Sequence, residues 1–339
     1  MCEWGKVNMP NDRKPNRSEL SQDAKEVIQR EAAIIAQHPD KEIDEWLETM
    51  YAGVSDDASA APWPLPPGVQ TLRVNGYPMA YVEQGAGVPV VLVHGTNGDY
   101  RSWTHQMEPL GARYRAISVS LRHYYPEPWD GAGEFSARQH VEDVIAFIEG
   151  LDAGRAFLIG HSRGGHVSMH VALRRPDLLR GLVLVEPGLP PAALLPGSPD
   201  GERFASVRSE RTRRLTELVN AGKVDEAVEL FVDAISGPGT YRARSQAANQ
   251  MTRDNIRTAL GEARDTREPV TRERAATLKL PCLLIGGDKS PPRFAPVLAA
   301  LESAIPGARL IVIPDAGHTM YRTHAAAFNE ALLTFIAAN

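Results

Sequence analysis

The sequence predicts an α/β protein: a mostly parallel central sheet with helices on both faces, interrupted late in the chain by a helical insertion. Three observations carry this. From about residue 69 onward, short and almost continuously apolar stretches alternate with amphipathic ones, the rhythm of a parallel sheet buried on both sides. That rhythm stops between Gly188 and Thr277 and then resumes. One apolar stretch runs directly into Gly160-His161-Ser162-Arg163-Gly164, a glycine-flanked turn that opens a helix.

Composition narrows the class further. With 339 residues, 43% hydrophobic and 23% charged, the chain is of ordinary globular type, with room for one large or two medium domains. No apolar run approaches the roughly 18 residues that cross a bilayer, and the start MCEWGKVNMP lacks the apolar core of a secretory signal, so a cytoplasmic location is expected. Cys2 and Cys282 are too few for a disulfide framework and are not spaced as metal ligands. A net charge of −5 gives no electrostatic reason to expect nucleic acid. The expected partner is a small-molecule substrate, with no nucleic acid and no membrane; no cofactor and no metal are implied.

Taken in order, the elements begin with an acidic arm. Residues 1–60 hold 13 Asp/Glu against 7 Lys/Arg, more than the whole chain's negative excess. Ser18 or Ser21 is placed to cap a helix through SQDAKEVIQREAAIIAQ, where apolar residues recur at helical spacing, and a second helix is expected from Asp40 to Tyr51. The stretch SDDASAAPWPLPPG, Ser55 to Gly68, is too rich in proline and small residues for helix or strand and closes an arm-plus-linker of residues 1–67. A half-apolar helix needs a cover, so the arm is expected to pack on its own body, with a homo-oligomer contact as the alternative.

TLRVNGYPMAYVEQG reads as a hairpin, because Asn75-Gly76 suits a tight two-residue turn. Strands are expected at Val88–Gly95, Tyr114–Leu121, Arg155–Ser162 and Leu179–Pro187, with SARQHVEDVIAFIEGL and RGGHVSMHVALRRPD as the intervening helices. Residues 188–275 carry only helical patterns such as VDEAVELFVDAI and are read as a cap. Strands at Pro281–Asp288 and Ala308–His318 complete a core of residues 68–187 and 276–339.

The chemistry centres on the glycine-flanked turn. A serine hydroxyl is a poor nucleophile until a base takes its proton, and a tight strand-to-helix turn exposes it while the flanking glycines relieve crowding. Ser162 is therefore the expected nucleophile. The helix that begins there directs free N–H groups and the positive end of its dipole at the reaction site. An oxyanion hole needs two donors, assigned to the backbone N–H groups of Thr96, in His94-Gly95-Thr96-Asn97-Gly98, and of Arg163. His94 is read as structural. His318, in Asp315-Ala316-Gly317-His318 after the last strand pattern, is the expected base. His324 is read as a cap or surface residue, and His161, His166 and His170 sit where a side chain cannot easily return to Ser162.

Together, the strand order, G-H-S-R-G turn, H-G loop, helical insertion and terminal G-H resemble the α/β-hydrolase superfamily over roughly residues 69–339. The resemblance implies an α/β-hydrolase fold with a helical cap and a serine, acid, histidine order along the chain. Two acids fit. Asp288 ends the later strand, the position many relatives use; Glu186 ends the earlier one, 24 residues after Ser162, similar to haloalkane-dehalogenase-like members and some ring-cleaving hydrolases. The ending G-G-D-K-S-P in place of G-x-x-D favours Glu186. A serine where dehalogenases and epoxide hydrolases of the superfamily carry aspartate argues against both of those reactions.

SLRHYYPEPW stands where relatives carry a glycine-rich loop, and its His123, Tyr124, Tyr125 and Trp129 are candidates to line the substrate pocket. The insertion is rich in arginine, one of which could meet a carboxylated substrate. Interspersed Glu and Asp nevertheless make these arginines read as solvated helix faces. The expected activity is that of a serine hydrolase cleaving an ester or lactone of a small, partly apolar molecule through an acyl-enzyme. The alternatives are hydrolysis of a carbon–carbon bond in a diketone-like substrate and a non-catalytic small-molecule receptor on the same fold.

Overall fold

The computed structural model describes residues 61–339, apart from the side chains at 199–202 and 205. The expected arm helices, with Ser18, Ser21 and the Asp40–Tyr51 segment, lie outside the described residues. Leu65–Asn339 forms one compact unit.

Strands β1 (Gln70–Val74) and β2 (Tyr77–Gln84) pair as the hairpin that Asn75-Gly76 predicts, with both turn residues at positive φ, 49° and 77°. The strands β3 (Pro89–Val93), β4 (Arg115–Val119), β5 (Ala156–His161), β6 (Leu179–Val185), β7 (Cys282–Gly287) and β8 (Arg309–Ile313) extend it to eight, in the order β1-β2-β4-β3-β5-β6-β7-β8. β2 runs antiparallel to β4, and every pair from there to β8 is parallel. This is the α/β-hydrolase sheet, and it puts β5, which carries Ser162, beside β6, which ends in Glu186.

Helices α1 (Thr104–Gly111), α2 (Ala137–Gly150) and α3 (Arg163–Arg174) connect the strands of the first half. Ser136 starts α2 as an N-cap, its side chain accepting from the Gln139 N–H. Side chains alternate across each strand. Val90, Leu92, Ile159, Val183, Val185, Leu283 and Ile285 share one core cluster with Trp103, Phe328, Leu332 and Ile336. Their neighbours Val91, Val93, Leu158, Leu182 and Leu184 are equally buried on the opposite side, where α3 packs on β5 and β6. Truncating one such residue to alanine costs about 2–5 kcal/mol. β8 departs from this double burial: it is the last strand of the sheet, and Ile311 and Val312 remain exposed.

Between β6 and β7 the chain is helical: α4 (Pro191–Leu194), α5 (Pro199–Asn220), α6 (Val224–Ser236), α7 (Thr240–Ala243), α8 (Gln246–Asn255), α9 (Thr258–Arg264) and α10 (Arg272–Ala275). They hold a small core of their own around Leu215, Val219, Val228, Val232 and Ile256. The chain closes with α11 (Phe294–Ala304), α12 (Met320–Thr323) and α13 (Ala325–Ala337). Among the described residues no helix is long and apolar enough to cross a membrane.

Candidate active site

β5 delivers the chain to Ser162 and α3 takes it away, and the reversal is sharp enough to force Ser162 to φ 51°, ψ −113°. A non-glycine residue there is strained, and such strain persists only where the surroundings over-determine it. They do so here. The Ser162 N–H donates to the Val185 carbonyl, its own carbonyl accepts from His166 and Gly188, and a Cβ on Gly164 would stand 2.3 Å from the Val93 carbonyl oxygen. Glycine at 160 is equally required, since a Cβ would meet the Gly164 carbonyl oxygen at 2.3 Å.

Glu186 follows β6 at φ 42° and is fully buried. Its Oε2 lies 2.5 Å from His318 Nδ1, and its Oε1 accepts from the Gly287 N–H at 2.9 Å. The His318 loop reaches it by crossing the end of β7, where Lys289 N–H donates to the Ala316 carbonyl and a Cβ on Gly287 would sit 2.1 Å from that oxygen. Glycine at 287 is thus explained: it admits the His318 loop and its N–H donates to the Glu186 carboxylate, while a Cβ on Gly286 would stand 2.5 Å from Leu298 Cδ1. Asp288, the other candidate acid, points into solvent beside Lys289.

His318 is itself buried, stacked on Phe294 with centroids 4.3 Å apart and planes 11° apart. Burial first, then the nearby cations Arg293 and Arg211, hold its pKa well below 6.5, so the imidazole is neutral, the form a base needs. With Nδ1 engaged by Glu186, Nε2 remains for chemistry. His161, the residue before Ser162, is occupied structurally, its Nε2 at 2.9 Å from the His318 carbonyl. His94 is structural too. Its Nε2 accepts from the Leu121 N–H and Nδ1 donates to the Gly95 carbonyl, with burial lowering its pKa to about 4.

Gly95 packs directly on the turn, where a Cβ would meet His161 Nδ1 at 2.7 Å and Ser162 Cβ at 3.1 Å. This brings the Thr96 loop alongside Ser162. Arg163 is the first residue of α3, so its N–H has no acceptor one turn back. The side chains of both residues converge on one carboxylate: Glu262, on α9, accepts from Thr96 Oγ1 at 3.1 Å and from Arg163 Nη1 at 2.6 Å. Arg163 is wholly buried and also donates to Asp265 at 2.7 Å and to His140 Nδ1. Burial alone would push the Glu262 carboxyl upward; Arg163, Arg267 and Arg208 outweigh it and hold it well below the usual carboxylate range.

Ser162, His318, Thr96 and the Pro187–Ala192 segment line a cavity of about 650 Å³, walled on its far side by the helical insertion. The aromatic loop is not part of it, which corrects the reading of His123, Tyr124, Tyr125 and Trp129 as pocket residues. His123 is held by Glu127 and stacks on Trp129; Tyr124 is buried against His94 and Phe135; Tyr125 stacks under the Arg101 guanidinium. The loop packs inward on itself instead. The insertion arginines need correcting as well, for Arg208, Arg211 and Arg244 face the cavity rather than solvent alone. Nothing in the sequence pointed to Glu262, Asp265, Arg293 or Phe294. The spacing that links them to the turn, such as 99 residues from Arg163 to Glu262, leaves no local pattern.

A cap over a mostly parallel sheet, with serine, glutamate and histidine at the strand ends, defines an α/β hydrolase. Residues 90–331 match the alpha/beta hydrolase family, and the chain belongs to it. It is 27% identical over 263 residues, 73% of this chain and 86% of that protein, to the 2-hydroxy-6-oxononadienedioate/2-hydroxy-6-oxononatrienedioate hydrolase of Escherichia coli (strain K12). Its fold resembles a thermophilic esterase from Thermogutta terrifontis, with TM-score 0.62 and 24% identity over 80% of this chain and 97% of that one. It also resembles the enol-lactonase from Burkholderia xenovorans LB400, with TM-score 0.61 and 21% identity over 79% and 99%. The protein is a hydrolase.

Proposed function

We propose that the chain is a serine hydrolase that cleaves an ester or lactone of a small, partly apolar molecule, with Ser162, His318 and Glu186 as its triad. The observation that carries the reading is the buried 2.5 Å contact between His318 Nδ1 and Glu186, beside a cavity that Ser162 also lines. His318 Nε2 takes the Ser162 proton as Oγ attacks the carbonyl carbon, and the Thr96 and Arg163 N–H groups hold the resulting oxyanion. Collapse breaks the bond to the leaving oxygen, which receives that proton. Water, deprotonated by the same nitrogen, then releases the acid and restores the serine. Glu186 fixes the tautomer and stabilises the imidazolium formed on the way.

A fluorophosphonate probe and a panel of short-chain esters, lactones and diketones test this together. Labelling at Ser162 with turnover of an ester or lactone is expected. Labelling with turnover of diketones alone would transfer the same residues to carbon–carbon cleavage, and no labelling at all would remove Ser162 as the nucleophile.

A further inference from the structure

The cavity is richer in cations than its hydrolytic chemistry needs. Among the described residues seven arginines line it, against three acidic residues, Glu217, Glu262 and Asp265. Glu217 is occupied by Arg213, and Glu262 and Asp265 by Arg163, Arg208 and Arg267. Arg211, from α5, and Arg293, beside α11, form no ion pair among the described residues, and the Arg211 Nε is buried without a hydrogen-bond partner. Both residues are half-buried, and a cation partly withdrawn from water is stabilised by a carboxylate at ion-pair distance, which neither has among the described residues. Both stand near His318, whose pKa they help to lower, and the Arg293 guanidinium lies 4.3 Å over the Phe294 ring, which also stacks on the His318 imidazole. Apolar walls at Leu189, Phe204, Phe231, Val232 and Val297 complete the lining.

We infer that the missing partner is supplied by the substrate: the molecule cleaved carries a carboxylate, received by Arg211 and Arg293 close to the reacting carbonyl, on an otherwise apolar body. The inference rests on the hydrolase reading only for the word substrate; the anion site itself does not need turnover. Burial brings both guanidiniums down to about 10; Glu186 works against this at Arg293 while Arg267 and Arg208 add to it, and at Arg211 repulsion from Arg293 is only partly offset by Glu262. A planar fork of N–H donors matches a carboxylate bidentately, which favours it over a neutral carbonyl.

Two measurements decide the matter. In the first, kcat/KM is compared for monoethyl glutarate and ethyl valerate, similar in length and differing in the terminal carboxylate. A preference of about 10-fold or more for the anion is expected, and Arg211→Gln or Arg293→Gln should cut that ratio by about 5-fold or more, with the lysine variants between. In the second, glutarate and its neutral diamide are titrated calorimetrically into Ser162→Ala protein, where only glutarate should bind. Equal kcat/KM values with no glutarate binding would overturn the anion site while leaving the hydrolase intact. Glutarate binding that Arg211→Gln weakens, without turnover of either ester, would uphold the anion site and count against the ester reading. The wild-type comparison and the two variants on separate elements keep the result readable if one variant fails to fold.

Discussion

Glu186 and Asp288 each follow directly on a strand of the parallel sheet, yet one is wholly buried against His318 and the other keeps 42% of its side chain in solvent. Both strand ends lie at the same edge of the sheet, one strand apart. The difference comes from the histidine loop, which passes over the glycine end of β7 and so reaches Glu186 at the end of the neighbouring β6. A carboxylate's chemical type and its place in the topology thus say little by themselves. What folds across it decides whether it orients an imidazole or faces water.

Three substitutions and a pH shift probe that contrast. The largest effect belongs to the residue both carboxylates would serve: Ser162→Ala should fold normally and lose about 10⁴–10⁶ in kcat, and a pure variant with near-normal turnover would remove the proposed nucleophile. Next, Glu186→Gln should lose at least about 100-fold in kcat with little change in melting temperature, since the amide keeps the shape but cannot stabilise the imidazolium. A loss confined to stability would reduce Glu186 to a packing residue.

Burial makes a prediction for stability as well. The folded chain holds His94 and His318 neutral where the unfolded chain, with the ordinary value of 6.5, takes up protons. The unfolded state therefore binds more protons below that value, and stability falls as pH falls. With His94 at about 4, it alone should contribute a loss of about 2 kcal/mol at pH 5 relative to pH 7. Urea unfolding at the two pH values measures this, and equal midpoints would contradict the buried, neutral histidines. The smallest effect is expected at Asp288→Asn, under about 10-fold in kcat, because its nearest charge is a Lys289 ammonium at 4.0 Å in solvent. A loss larger than that of Glu186→Gln would reverse the whole comparison.

Much of the frame was legible in the sequence because it rests on local pattern. The apolar runs that become β3 to β7, the Asn75-Gly76 turn and the serine turn between β5 and α3 each carry their own signal within a few residues. Between Glu186 and Asp288 the sequence favoured the glutamate only through its spacing from Ser162 and the unusual G-G-D-K-S-P ending, since the choice depends on how a loop 132 residues after Glu186 crosses the sheet. The aromatic loop misled for a different reason. A histidine, two tyrosines and a tryptophan look alike whether they face a cavity or each other, and here a glutamate four residues after His123 turns that ring inward. The charged helices misled most. Interspersed Arg and Glu have one sequence pattern for a solvated face and for a pocket wall, and only the packed insertion separates them.

Arg163 carries a consequence for anyone exchanging parts between relatives of this chain. Its guanidinium, on the residue after Ser162, is fully buried, and the carboxylates that neutralise it, Glu262 and Asp265, belong to the helical insertion. The turn and the insertion are therefore heritable only together. A foreign insertion grafted onto this sheet without two acids at those places would strand a cation in the interior, at a cost of about 3–5 kcal/mol, however well its own helices packed. Exchanging the insertion in this scaffold is in that sense a transplant with a tissue match: Arg163 must travel with the helices it is paired to.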